Sequence, residues 1–239
     1  MTTAMQVAGW EHVFKLDPDK TLSDETLEAI CESGTDALVI GGSSGVTYDN
    51  TVDLLARVRR YEVPCALELS TPEAAVPGFD LYLVPLVLNT ERGAWITGRQ
   101  AEGVLGYGPL IPWEATLAEG YIILNAEAEA ARVTEAQTEL DEERTLAYVD
   151  VADRLMRLPI IYLEYSGRFG DMERVRRARR RLAQGRLFYG GGIADAEQAA
   201  AAALAADTVV VGNALYADWR TALHTVDAVK RVKREGKLV

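Results

Sequence analysis

Three short segments in the C-terminal third of the chain end in the same way. Residues 162–167 read YLEYSG, residues 188–193 read FYGGGI and residues 209–213 read VVVGN. Each starts as a β-branched or aromatic run and finishes in small residues whose backbone N–H groups can face a ligand. Glycine lets the main chain approach an anion closely and adopt positive φ without steric cost. Successive N–H groups in such a turn form an anion-binding nest. Three strands ending this way point to one shared phosphate site.

Other residues add to that chemistry. Lys15 and Asp17 close the first strand-like run with a common parity, so both face one side of it. A lysine there can neutralise a phosphate, and an aspartate can hold Mg2+ that bridges phosphate oxygens. An interior salt bridge is the plain structural alternative. Ser43 lies in the turn GGSSG of residues 41–45 and can offer its hydroxyl to a metal or a phosphate, although any tight turn after a strand favours these residues. Glu164 shares its parity with Tyr162 and Ser166. An inward carboxylate is costly to bury unless it is paired or used. Glu164 is therefore expected to bind or deprotonate a hydroxyl, or else to pair with a cation on a neighbouring strand. His12 and His224 are the two histidines. Neither has a partner at metal or triad spacing, and both are read as structural.

These residues need elements to hold them. Strand-like apolar runs recur at residues 12–17, 37–42, 65–70, 81–88, 121–125, 160–167, 186–193 and 208–213. Helical periodicity separates most of them, at 23–32, 50–60, 94–107, 143–157, 171–183, 195–205 and 219–230. Between Ser70 and Leu81 there is room for a single helical turn. Continuous apolar runs mark strands covered on both faces, as in parallel sheets. Strands alternating with helices in this number predict an α/β protein, a (β/α)8 TIM barrel forming one domain over residues 1–239. An open doubly wound sheet would place its phosphate glycines after the first strand. Here the richest glycine turns follow the sixth, seventh and eighth, where barrels carry phosphate sites. Ser23, Asp171 and Asp195 read as helix caps, with Gln198 completing a capping box.

Composition narrows the class further. The 239 residues are 49% hydrophobic, enough for a substantial core. No apolar run reaches the roughly 18 residues of a membrane span, and the N-terminus lacks signal-peptide character, so a cytoplasmic protein is expected. Cys31 and Cys65 read as core thiols rather than a disulfide or a metal pair. The net charge of −11 argues against nucleic acid and leaves at most peripheral membrane contact. Phosphate substrates must then be drawn in by local cations, backbone N–H groups or a metal. The arginines at 174, 176, 177, 179, 180 and 181 read as a solvated helix face pairing with local acids, ahead of a lipid head-group site. Residues 230–237 read as a basic, frayed end. Gly98 and Gly103 are unusual within a helical pattern, each costing ~1 kcal/mol against alanine. A groove that must admit something explains them, and so does a kink or close helix packing.

Taken together these residues resemble the geranylgeranylglyceryl and heptaprenylglyceryl phosphate synthase family, above all its bacterial heptaprenyl members. The likeness covers nearly the whole chain, through residues 12–18 (HVFKLDP), 32–36 (ESGTD), 41–43 with 45–47, 63–65, 77–80 and the three glycine-ended segments. It implies a Mg2+-dependent prenyltransferase that joins sn-glycerol 1-phosphate to a long polyprenyl diphosphate by an ether and releases diphosphate. By the same resemblance Lys15, Tyr162, Leu163, Glu164, Tyr165, Ser166, Gly167, Gly192, Gly212 and Asn213 bind glycerol 1-phosphate. Asp17 and Ser43 ligate Mg2+, and Glu164 orients or deprotonates the attacking hydroxyl. Gly103 stands where a bulky residue would stop the prenyl chain. The groove is therefore expected to be open, with heptaprenyl preferred over geranylgeranyl diphosphate. A homodimer is implied as well. Two rivals stay open: a sugar-phosphate enzyme on the same barrel, and a non-catalytic carrier of polyprenyl lipids.

Overall fold

Short runs of wholly buried residues form the strands. Residues ALVI of β2 (Ala37–Ile40) and TVVV of β8 (Thr208–Val211) are buried at every position. A parallel strand covered on both faces requires this pattern. The structure is a computed structural model that describes residues 7–236. From the N-terminus the chain runs β1 (His12–Leu16), α1 (Asp24–Cys31), β2, α2 (Tyr48–Val58), β3 (Cys65–Glu68), β4 (Leu81–Val87), α3 (Gly98–Tyr107) and β5 (Thr116–Ile123). It continues through α4 (Glu129–Thr134), α5 (Glu142–Asp150), β6 (Ile160–Glu164), α6 (Met172–Arg181), β7 (Arg186–Gly190), α7 (Ala196–Ala205), β8, α8 (Ala214–Ala217) and α9 (Trp219–Gly236).

The eight strands close in sequence order, all parallel, with β1 bonded to both β2 and β8. The expected (β/α)8 barrel is the observed fold. Alternation along each strand then divides the apolar residues into two cores. Val13, Val39, Leu83, Ile160, Phe188 and Val210 fill the barrel interior. Phe14, Leu38, Leu67, Ile122, Leu163 and Val209 pack outward under the helices. The register sets Tyr121 beside Tyr162 and Glu164 beside Gly190, so polar side chains meet at the C-terminal mouth.

Several boundaries differ from those the sequence suggests, each for a local reason. β5 begins at Thr116, five positions before residue 121, because Glu119 and Gly120 interrupt the apolar pattern. Gly120 is needed there: a Cβ would lie 2.9 Å from Leu158 and 3.1 Å from Leu88. The helix expected over 94–107 splits, since Thr97 leaves helical geometry between the turn Gly93–Trp95 and α3. The segment expected as helix 143–157 is α5 followed by a wide π-type turn, Val151–Leu155. α2 starts earlier than residue 50 because Thr47 caps it, in a reciprocal capping box with Asn50. α9 continues past Lys230 to Gly236, and Lys237 lies outside the described residues. α4 and α8 were not anticipated. A single turn, Pro72–Ala74, links β3 to β4 as expected. Ser23, Asp171 and Asp195 cap their helices, although Gln198 reaches back to the N–H of Ala194 rather than of Asp195. No helix of the described residues is long and apolar enough to cross a membrane.

Candidate active site

The C-terminal ends of the strands open into one cavity of about 1770 Å3. Its floor begins with Lys15 on β1. The Lys15 ammonium donates to Glu68 Oε1 at 2.5 Å and to the Tyr121 hydroxyl at 3.2 Å, and that hydroxyl donates to Glu68 Oε2 at 2.7 Å. The rings of Tyr121 and Tyr162 stack with centroids 4.4 Å apart, and Lys15 Nζ lies within 6 Å of both. Burial works against the charge on Lys15, but Glu68, Glu164 and Glu119 outweigh it and hold the ammonium above its ordinary range. Burial, reinforced by these carboxylates, keeps both tyrosine hydroxyls protonated. The interior salt bridge considered for Lys15 thus exists, and its partner is Glu68.

Glu164 ends β6 fully inside the barrel and lines the cavity. Its Oε1 accepts the backbone N–H of Ser166 at 2.5 Å. It forms no ion pair among the described residues, so the pairing alternative gives way to a main-chain contact. Burial pushes its carboxyl above the usual glutamate range, while Lys15 and Ser166 pull the other way. A carboxylate with raised proton affinity, facing a cavity, can accept a proton from a hydroxyl.

The glycine turns close around Glu164. At Gly190 a side chain would strike the Tyr162 hydroxyl, and Tyr162 could not stand upright in the barrel. Gly192 has φ +60°, and a Cβ there would run into the backbone of Phe169, so the loops after β6 and β7 interlock only with glycine. Gly212 and Asn213 follow β8 and lead directly into α8. Tyr162, Ser166, Gly167, Gly192, Gly212 and Asn213 all line the cavity. Leu163 and Tyr165 do not: their side chains pack outward in the core beneath the helices. Any contact from these two residues with a ligand in the cavity would come from their main chain. Strand alternation dictates that outcome.

Asp17 and Ser43 line the cavity from the loops after β1 and β2, next to the turn after β8. A Cβ on Gly42 would lie 2.5 Å from Asp17 Oδ1, so the carboxylate stands over the β2 turn next to Ser43. Burial raises the proton affinity of Asp17. No cluster of three or more His, Cys, Asp or Glu residues suited to a metal occurs among the described residues. One carboxylate and one hydroxyl nonetheless fit a hard cation such as Mg2+, which keeps several waters and completes its shell with substrate phosphates.

From this polar floor an apolar groove runs along Tyr82, Pro85, Trp95, Val104, Tyr107 and Ile111. Gly103 lines it, and a Cβ built there meets nothing within 4 Å. Of the two explanations for this glycine, open space along a groove is the one observed.

His12, read as structural, has structural partners. His12 bonds Thr35 through Nδ1 at 2.9 Å and Thr225 through Nε2 at 3.0 Å. Both cysteines are free. Four of the six arginines of α6 pair with local acids, Arg176 with Glu173, Arg177 with Glu142, Arg179 with Asp207 and Arg181 with Asp150, while Arg174 donates to the Leu140 carbonyl. Sequence reasoning missed a role for Glu68, although it closes a strand, and for Tyr121, which opens one. It also missed Glu119, hidden before the expected start of β5. Glu119 is fully buried, neither of its oxygens has a partner among the described residues, and burial with Glu68 pushes it well above the carboxylate range.

Comparison with known proteins follows the same lines. The PcrB family pattern matches residues 5–232. A heptaprenylglyceryl phosphate synthase of Geobacillus thermodenitrificans is 53% identical over 233 residues, covering 98% of each chain. Another, from Geobacillus kaustophilus, is 55% identical over 227 residues and 95% of each chain. Among solved structures, (S)-3-O-geranylgeranylglyceryl phosphate synthase from Thermoplasma acidophilum, in complex with its substrate sn-glycerol-1-phosphate, matches with a TM-score of 0.84. That match spans 97% of this chain and 99% of the other, and at 22% identity it speaks for the fold alone. With a barrel, a polar mouth and an apolar groove in place, and with such identity along nearly its full length, the chain belongs to the PcrB family.

Proposed function

We propose that this chain joins sn-glycerol 1-phosphate to a long-chain polyprenyl diphosphate, heptaprenyl diphosphate foremost, through an ether bond and with release of diphosphate. The observation that carries the reading is the continuity of one cavity, from glycine turns and carboxylates at its floor to an apolar groove. Its dimensions and lining suit a substrate pair of which one member is small and anionic and the other long and apolar. The names of the similar proteins supply the matching substrates.

In this reading the acceptor phosphate rests on the N–H groups around Gly192, Gly212 and Asn213, with Lys15 as counter-charge. Tyr162, Ser166 and Gly167 shape the glycerol pocket, and Leu163 and Tyr165 contribute backbone. Glu164 takes the proton of the attacking hydroxyl as its oxygen bonds to C1 of the prenyl chain. The C1–O bond to diphosphate breaks, and its electron pair leaves with the diphosphate. Asp17 and Ser43 would hold Mg2+, which when bound neutralises charge on that leaving group. The apolar walls exclude water, so the prenyl carbon meets the glycerol hydroxyl rather than solvent.

A sugar-phosphate enzyme would have no use for the groove. A carrier would have no use for a buried carboxylate against a phosphate nest. Incubation with glycerol 1-phosphate, Mg2+ and polyprenyl diphosphates of graded length tests the reading. An ether product is expected, with yield rising toward heptaprenyl. Donor binding without product would favour the carrier, and neither binding nor product would return the site to sugar phosphates.

A further inference from the structure

The cavity is short of positive charge where the reaction most needs it. Among the described residues that line it, the cations are Lys15, Lys20 and Arg99, against the acids Asp17, Asp19, Glu68, Glu127, Glu129 and Glu164. Lys15 is held by Glu68 at 2.5 Å and, in the reading above, serves the acceptor phosphate. Arg99 belongs to the groove helix α3, where its guanidinium stacks 3.9 Å over Trp95. Lys20 remains.

Lys20 occupies a specific position between the two phosphate-binding regions. Its ammonium donates to Asn213 Oδ1 at 3.2 Å, lies 3.9 Å from Asp17 Oδ2 and sits 4.8 Å above the Tyr216 ring. Tyr216 in turn accepts the backbone N–H of Asp17 at 2.8 Å, which pins the loop after β1 to α8. The loop is thus fixed while the lysine head is not. Its side chain is 44% exposed, and none of its contacts is a close ion pair. A cation so held can turn toward an anion without breaking a strong bond.

We propose that Lys20 is the cation that receives the leaving diphosphate, an assignment that rests on the ether-forming reading above. The acceptor phosphate already has Lys15 and the glycine N–H groups, and its charge does not change during the reaction. The diphosphate gains the electron pair of the C1–O bond as that bond breaks, while the hydroxyl proton passes to Glu164. An interaction that strengthens only as this charge develops lowers the barrier, whereas one equally strong throughout does not. Lys20 stands beside Asp17, on the side of the cavity where the diphosphate must lie if Asp17 and Ser43 hold its metal. It also answers the repulsion that a chain of net charge −11 exerts on a polyanionic donor.

Lys20→Met and Lys20→Arg test the assignment through separate donor and acceptor kinetics. Lys20→Met lowers kcat about 10²-fold or more, as loss of one charge-stabilising donor does, with the KM for glycerol 1-phosphate held within about twofold, and Lys20→Arg recovers most of the rate. Calorimetric titration of inorganic diphosphate in the absence of Mg2+ gives a second readout, with affinity for Lys20→Met weakened about tenfold and glycerol 1-phosphate affinity unchanged. A raised KM for glycerol 1-phosphate with unaltered diphosphate binding would overturn the proposal and assign Lys20 to the acceptor. Unaltered kinetics and binding would overturn it outright. Should the unmodified protein form no ether, the synthase reading fails. The diphosphate titration then decides Lys20 alone: weakened binding upholds a diphosphate cation, and equal binding removes it.

Discussion

Lys15 and Glu68 meet 2.5 Å apart across the barrel interior, and the Tyr121 hydroxyl closes the contact by bonding to both. The pair does two jobs. Glu68 favours the charge on a mostly buried ammonium in a place where burial works against it. It also ties β1 to β3 and β5 at the level where the site begins, so the cation meant for phosphate is already aimed.

Breaking one side of this pair should cost more than removing both. Glu68→Ala leaves Lys15 as a buried, uncompensated cation and should destabilise the fold by about 3 kcal/mol. Lys15→Met combined with Glu68→Met replaces the pair with apolar bulk and should recover most of that stability while abolishing acceptor binding. Urea denaturation of the two variants checks this. Equal stabilities for the single and the double variant would show that the charges are not coupled.

Glu164→Gln preserves shape and removes the proton acceptor. The kcat should fall by about 10²- to 10⁴-fold, the range for a lost general base, with melting temperature and acceptor KM little changed. The pH profile adds a signature. A base works deprotonated, and burial raises the proton affinity of Glu164. The parent enzyme should therefore lose rate as pH falls through a midpoint above the ordinary glutamate value. The variant should lack that limb, and a limb retained in Glu164→Gln would transfer the role to another group.

How much of this could be read from the sequence depended on what each residue's neighbours reveal. The barrel was legible because runs such as VVV in β8 and the glycine turns after β6, β7 and β8 are local patterns. Lys15, Asp17 and Glu164 could be picked out because each stands at or beside a strand end, and Ser43 because it lies in the turn after one; all four line the cavity. Glu119 was not, since a charge within TLAEG looks like the end of an apolar run, and only its neighbours across the barrel show it to be interior. Glu68 was visible as a strand-end acid, but its pairing with Lys15 spans 53 positions and depends on barrel closure. Leu163 and Tyr165 show the limit of a motif from the other direction. Membership of a motif suggested contact, but strand alternation turns alternate side chains away.

His12 makes stability depend on pH. Burial lowers its pKa to about 3 against an ordinary 6.5, with Asp36 favouring and Lys230 opposing the cation. Between those values the unfolded chain binds a proton that the native chain refuses. The stabilising contribution is therefore complete above about pH 6.5 and is lost as pH falls toward 3, by at most ~1.4 kcal/mol per pH unit. His12→Gln should be less stable at pH 7.5 yet show a shallower decline between pH 7 and 5, measured by urea titration. Parallel slopes would mean that another group dominates acid sensitivity.

Glu119 acts in the opposite direction. Burial, with Glu68 beside it, holds its carboxyl well above the ordinary 4.5 in the native barrel, so the unfolded chain ionises it at lower pH than the native chain does. Stability is thus lost as pH rises above 4.5. Glu119→Gln removes this linkage at nearly constant volume and should raise stability at pH 8, with a smaller gain at pH 5, as measured by urea denaturation. An equal gain at both values would show that ionisation is not the cause.

Gly103 decides how far the groove extends. It lies inside α3, and a Cβ there meets nothing within 4 Å, so a large side chain can be added without moving the backbone. Helix propensity favours the change, because glycine costs ~1 kcal/mol against alanine in a helix interior. Gly103→Trp should therefore fold at least as well as the parent while placing an indole in the path of the prenyl chain. With geranylgeranyl and heptaprenyl diphosphate in competition, the share of heptaprenyl ether should drop by at least about tenfold relative to the shorter product, as expected for a bulky obstacle in an apolar pocket. Mass spectrometry of the products gives the ratio directly. A ratio identical to that of the parent would show that the chain takes a path that does not pass Gly103.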